Sequence, residues 1–177
     1  TAVRIDPDQR QDLENFDREY IMEVTRERLK HHPNNRLIQH LGENCSLRYC
    51  CPAARNFFMG RWECPIPVSP ACNSNCLGCI SFQPEEHELT APQDRLSFIP
   101  TVEEIVEFTV PHLEQAERPI VSFGQGCEGE PLLVWQLMRD AIREIRKRTD
   151  KGIINLNTNG SKPAAVEELR SEEHTSE

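Results

Sequence analysis

No stretch of this sequence approaches the ~20 consecutive apolar residues that a membrane-spanning helix needs, which excludes a helical membrane span and a membrane partner. The N-terminus also lacks the basic start, apolar middle and small-residue cleavage site of a secretory signal. The expected setting is therefore cytoplasmic, where thiols stay reduced. Basic residues are the minority: 20 Lys and Arg against 29 Asp and Glu leave a net charge of -9. That balance argues against a broad phosphate-binding face and a nucleic-acid partner. The basic run Arg143, Arg146, Lys147 and Arg148 reads as a solvated helix face. Internal repeats and low-complexity tracts are absent, which removes repeat architectures.

What is present is a chain of 177 residues, 37% hydrophobic and 28% charged, long enough for one ordinary domain with a packed core. Thr1 stands where an initiator methionine is expected, so the start is expected to be processed or missing. Residues 170–177, R-S-E-E-H-T-S-E, are too polar to bury anything, and they resemble the in-frame translation of a common short-read sequencing adapter. They are expected to be a disordered tail, with natural sequence stopping near Leu169. The chain then reads as a fragment of a longer protein, expected to be inactive and aggregation-prone by itself.

Periodicity predicts one helix from about Asp6 to His31, with Leu13, Phe16, Tyr20 and Val24 on its apolar face. A short helix over Leu37–Leu41, closed by Gly42, and an aperiodic stretch from Glu43 to Arg61 complete a helical, cysteine-bearing extension over residues 1–61. From Trp62 to Leu169 the pattern alternates. A strand-like Trp62–Val68 is weakened by Pro65 and Pro67. A helix begins at the capping-box sequence Thr101–Glu104 and is expected to kink at Pro111. Strands follow at Pro119–Phe123 and Gly152–Leu156, each leading into a helix. This α/β alternation predicts parallel strands with right-handed crossovers.

Eight cysteines are many for a chain with reduced thiols, and their spacing carries the chemistry. Cys72, Cys76 and Cys79 form C-x3-C-x2-C within one loop after the first strand. Thiolates this close can converge on one metal centre, and three rather than four protein ligands leave one position open for chemistry. A zinc site completed by a distant residue, or a fortuitous cluster, are the alternatives.

This loop, followed by α/β units, resembles the radical S-adenosylmethionine (SAM) superfamily, in the branch of molybdenum-cofactor, nitrogenase-cofactor and peptide-maturase enzymes. The resemblance implies a partial (βα) barrel of TIM-like type, here about three βα units over 62–169. It also implies a [4Fe–4S] cluster held by Cys72, Cys76 and Cys79, whose fourth iron chelates SAM. An electron from a donor such as flavodoxin or ferredoxin would cleave SAM to a 5′-deoxyadenosyl radical, which abstracts hydrogen from an unknown small-molecule or peptide substrate. Gly78 stands where the family often carries a large side chain near the SAM adenine, so that contact would fall to the Gly78 backbone or to Ile80. Glu128-Gly129-Glu130-Pro131 resembles the family's G-G-E-P segment, which assigns Gly129 and Glu130 to the SAM amino group, with Glu128 in place of the first glycine. Asn157-Thr158-Asn159-Gly160 resembles a T-T-N-G segment and assigns Thr158 and Asn159 to the SAM or substrate side.

Each motif has a competing reading. Gly124–Gly129 matches the dinucleotide fingerprint G-x-G-x-x-G, but the following strand ends in Asn155-Leu156-Asn157, without the acidic residue that binds a ribose. A helix cap explains 128–131, and a strand-to-helix turn explains 157–160. Cys45, Cys50, Cys51 and Cys64 are either ligands of an auxiliary cluster or incidental thiols, and Cys127, inside the SAM-facing loop, is either a contact to substrate or radical or an incidental thiol as well. The rival function is a non-catalytic iron–sulfur or zinc module that does not bind SAM.

Overall fold

A computed structural model describes residues 8–173. Three parallel strands, β1 (Glu63–Pro65), β2 (Ile120–Phe123) and β3 (Ile153–Leu156), lie in the order β1-β2-β3. Cys64 stands opposite Val121, and Val121 opposite Ile154. Pro65 has no N–H for a ladder, and β1 accommodates it by lying at the sheet edge. Crossover helices α4 (Val102–Gln115) and α5 (Trp135–Arg146) join the strands, and α6 (Pro163–Glu173) follows β3. The protein is thus a mixed α/β structure with a small parallel sheet. None of the helices among the described residues is long and apolar enough to cross a membrane.

The helices begin where local chemistry predicts. The Thr101 hydroxyl accepts the Glu104 N–H at 3.2 Å, and the Glu104 carboxylate accepts the Thr101 N–H at 2.8 Å, closing the capping box of α4. The α4 helix continues through Pro111 to Gln115, where a kink was expected, and buries Ile105, Phe108, His112 and Leu113. Pro131 opens a short 3₁₀ turn (Pro131–Val134) that leads into α5, whose inner stripe is Met138, Ala141, Ile142 and Ile145.

The N-terminal expectations need correction. The first α-helix, α1, spans only Arg18–His31, because Asp17 caps it by accepting the Tyr20 N–H at 2.7 Å. Two 3₁₀ turns, Gln9–Gln11 and Leu13–Asn15, precede it, and Asp6 lies outside the described residues. Leu13 is 88% exposed and Tyr20 also faces solvent; the buried positions of α1 are Ile21 and Thr25. Of the expected stripe, Val24 packs against the core beside Ile21 and Thr25, whereas Leu13 and Phe16 precede α1 and Tyr20 faces outward. Helix α2 (Arg36–His40) runs on into a π-helical segment, Leu41–Arg48. Gly42 does not close a helix: it lies beneath Leu29, where an added Cβ would meet Cδ2 at 2.5 Å. Helix α3 (Pro52–Phe58) fills the stretch read as aperiodic. Residues 170–173, part of the stretch expected to be a disordered tail, lie within α6. Residues 174–177 lie outside the described residues.

One continuous apolar core joins the extension to the sheet. Leu37, Ile38, Leu41 and Phe57 from the N-terminal helices pack in the same cluster as Ile105, Val121 and Met138. At its base the His112 Nε2–H donates to the Trp62 carbonyl at 3.0 Å. Burial holds the His112 imidazole below the ordinary histidine range, with the charge of Arg28 adding to the effect and the Trp62 carbonyl opposing it. The unfolded chain protonates this side chain near its ordinary 6.5, while the folded chain keeps it neutral. Its contribution to stability is therefore fully present above that pH and is lost as pH falls below it. In urea unfolding at pH 7.5 and 5.5, His112→Gln is expected to lose less stability on acidification than the parent chain. An equal loss in both would show that His112 is not the linked group.

Candidate functional site

The three motif-bearing loops all leave the C-terminal ends of the parallel strands, and hydrogen bonds draw them together. In parallel α/β architectures that end of the sheet gathers the loops that bind and react. Gly129 N–H donates to the Ser69 carbonyl at 2.7 Å, and Glu130 N–H to the Ala71 carbonyl at 2.8 Å. The segment 128–130 thereby runs directly beneath the start of the cysteine loop. A Cβ at Gly129 would stand 1.8 Å from the Ala71 oxygen, so only glycine permits this approach. Gly124 is held in a similar way, with φ +77° and the Asn157 carbonyl where a Cβ would be.

Two buried glutamates organise the loops. Glu128, 4% exposed, accepts the Val68 and Ser69 N–H groups on one oxygen at 2.7 and 2.8 Å. Its other oxygen accepts the Gly124 and Gln125 N–H groups at 2.7 and 3.0 Å. This carboxylate clamps the segment that follows β1 to the turn after β2. Burial pushes its carboxyl up, to about 7, against the pull of these four donors. Glu130 is also buried; it accepts the Leu132 N–H at 3.0 Å, the Asn159 N–H at 2.9 Å and the Thr158 hydroxyl. The start of the helical turn after the glycine loop is thus already met by a carboxylate. That arrangement disfavours the dinucleotide reading, because the helix end that would receive a pyrophosphate is engaged.

Asn159 completes the convergence. Its Nδ2 donates to Asn73 Oδ1 and to Ser74 Oγ, both at 2.8 Å, and Asn73 Nδ2 donates to Ser161 Oγ at 2.9 Å. The third segment therefore meets the cysteine loop directly, and of its two candidates Asn159 reaches the loop while Thr158 is tied to Glu130.

Within the loop, Cys72 and Cys76 are exposed and Cys79 is half-buried. The Ser74 N–H points at Cys72 Sγ at 3.4 Å. Arg95 Nη2 lies 3.3 Å from Cys79 Sγ, its Nε donates to Ser81 Oγ at 3.2 Å, and its guanidinium stacks over Phe82. Burial opposes ionisation of Cys79, but the Ser81 and Phe82 N–H groups, the Ser81 hydroxyl and Arg95 together hold its thiol below the ordinary cysteine value. A Cβ at Gly78 would meet nothing, so packing does not dictate glycine there and open space lies above it. Leu77, Ile80 and Phe82 present large exposed apolar side chains around the loop.

The four upstream cysteines do not gather. Cys50 is exposed, with φ +55°, while Cys64 is fully buried in β1, its thiol pushed well up by burial. Cys45 instead comes together with His40 and Cys127, the ligand atoms of all three lying within 4.8 Å of one another. Sequence reasoning missed His40, Glu128 and Arg95 as organisers. Glu128 registered only as a departure from a glycine, and Arg95 carries no local pattern at all. Comparison with family models, curated proteins and solved structures finds no match to this chain.

Proposed function

We propose that this chain is the cofactor-binding part of a radical SAM enzyme, the three βα units forming the first part of a TIM-like barrel. The observation that carries the proposal is the meeting of three loops at one end of the sheet. The cysteine loop touches segment 128–130 through Ala71 and segment 157–161 through Asn73 and Ser74. A generic α/β domain has no need to join a three-cysteine loop to both neighbouring strand ends.

Cys72, Cys76 and Cys79 would hold a [4Fe–4S] cluster, and their donor set fits it: three thiols on one short loop, with a guanidinium and N–H donors at Cys79 favouring thiolate. When bound, the cluster supplies one electron for reductive cleavage of SAM to a 5′-deoxyadenosyl radical that abstracts hydrogen from the substrate. Glu130 keeps Thr158 and Asn159 in place, and three donors leave one lone pair of its four for a cation such as the SAM ammonium group. Gly129 admits the backbone beside it, and the open space over Gly78, bordered by Ile80, leaves room for the adenine. The expected partners are a small-molecule or peptide substrate and a flavodoxin- or ferredoxin-like electron donor, in the cytoplasm.

Anaerobic reconstitution tests this reading. Iron should load to about four per chain, and SAM should change the electron paramagnetic resonance signal of the reduced cluster and release 5′-deoxyadenosine. Zinc bound tightly by the loop cysteines, or an iron cluster indifferent to SAM, would instead establish the non-catalytic metal module.

A further inference from the structure

We propose that His40, Cys45 and Cys127 form a second, structural metal site that takes a zinc ion and staples the N-terminal helices to the loop after β2. The three residues come from separate parts of the chain: His40 ends α2, Cys45 lies in the π-helical segment, and Cys127 precedes the Glu128 clamp. Both cysteines are buried, at 3% and 7% exposure, and neither is in a disulfide. Their ligand atoms and that of His40 lie within 4.8 Å of one another. Tetrahedral zinc, about 2.0–2.3 Å from nitrogen and sulfur ligands, would place them roughly 3.3–3.8 Å apart. Side-chain adjustments of the order of 1 Å therefore suffice to close around the ion.

An independent observation points to a ligand. His40 Nε2 is buried and has no hydrogen-bond partner, an unfavourable condition in a protein interior that a bound ion would relieve. The other ring nitrogen is engaged: the Asn44 side-chain amide lies 3.1 Å from Nδ1. A half-turn of that amide, which leaves its shape unchanged, puts its oxygen at Nδ1. Nδ1–H then donates to Asn44, and the Nε2 lone pair is free for a metal, with Asn44 the outer partner that metal-binding histidines generally have. The backbone fits the same purpose. A π-helical segment is uncommon and often marks a functional position, and here it carries Cys45. Cys51 N–H donates to the Cys45 carbonyl at 2.8 Å, and Leu96 N–H to the Cys127 carbonyl at 2.8 Å, fixing both cysteine backbones.

The charge balances. Zn²⁺ displaces one proton from each of two thiols to solvent and binds two thiolates and a neutral imidazole, giving a neutral buried unit. Water takes the fourth position. Mixed nitrogen and sulfur donors select zinc over magnesium or calcium. This site does not depend on the radical SAM reading.

The experiment uses the full chain carrying Cys72→Ala, Cys76→Ala and Cys79→Ala, which removes the loop site, so failure here is separate from failure of iron loading. The triple variant is expected to bind one Co²⁺ per chain with thiolate-to-cobalt charge-transfer absorption, and Zn²⁺ should displace it. Adding His40→Ala or Cys45→Ser should weaken Co²⁺ binding beyond the roughly 10–100-fold that loss of an outer partner costs. Absence of the absorption in the triple variant, or unchanged affinity after His40→Ala, overturns the site. Should those added substitutions prevent folding, alkylation of the triple variant gives the answer: Zn²⁺ should protect Cys45 and Cys127, and equal labelling with and without zinc refutes the proposal.

Discussion

Cys76→Ala protein, reconstituted anaerobically, is expected to hold no four-iron cluster and to release no 5′-deoxyadenosine from SAM and reductant, whereas Cys51→Ala should retain both. The contrast follows from position. Cys76 is the middle of three thiols on an exposed loop, and its carbonyl accepts the Cys79 N–H at 3.1 Å, so it anchors the turn that brings Cys79 round. In the proposed site one iron is left for SAM, so a cluster would have only three protein ligands, and losing one would leave two to hold four irons. Loss is then close to complete rather than graded. Cys51, by contrast, is the half-buried residue before α3 and lies outside the cysteine loop, so its removal takes no ligand from the cluster. Iron content by colorimetry and product by chromatography decide the matter. Full iron in the Cys76 variant would remove Cys76 from the ligand set, and loss of iron in the Cys51 variant would move the cluster elsewhere.

Glu128→Ala is expected to destabilise the fold by about 3–5 kcal/mol, a large part of the 5–15 kcal/mol that a typical domain has. The substitution leaves the Val68, Ser69, Gly124 and Gln125 N–H groups without their acceptor, in a place where the side chain is nearly inaccessible to water. Each buried donor without a partner costs about 1–3 kcal/mol, and water entering the vacated volume recovers some of that. For a chain of this size the melting temperature should fall by roughly 6–20 °C. Glu128→Gln keeps one acceptor oxygen, able to serve one pair of donors, and should lose less. Melting within about 2 °C of the parent for Glu128→Ala would show that the clamp adds little and that the sheet alone positions the loops.

These two residues differ in how far the sequence exposes them. C-x3-C-x2-C lies within eight residues, and an order of apolar runs separated by turn residues is enough to mark three strands and the helices between them. Strand positions and the helix start at Thr101 were legible because capping and periodicity are local. The extension was less legible. Asp17 starts α1 eleven residues beyond the expected Asp6, and the face chosen from Leu13 and Tyr20 is exposed, because the core selects Ile21 and Thr25. Gly42 looked like a helix stop because glycine often is one, yet here it makes room for Leu29, a contact set by how α1 crosses the π-helical segment.

By itself the sequence determined the α/β order, the absence of a helical membrane span and the three-cysteine loop on which the proposed chemistry rests. Only the tertiary structure decided which residues serve that loop. Glu128 reaches Val68 across 60 positions, Asn159 reaches Asn73 across 86, and His40 finds Cys127 because α2 and the π-helical segment share one core with the sheet. The physical reason is range. Ligand spacing and caps are encoded in a few consecutive residues, whereas strand register, close glycine passages and the cost of an unpaired buried group act between segments that only folding brings together.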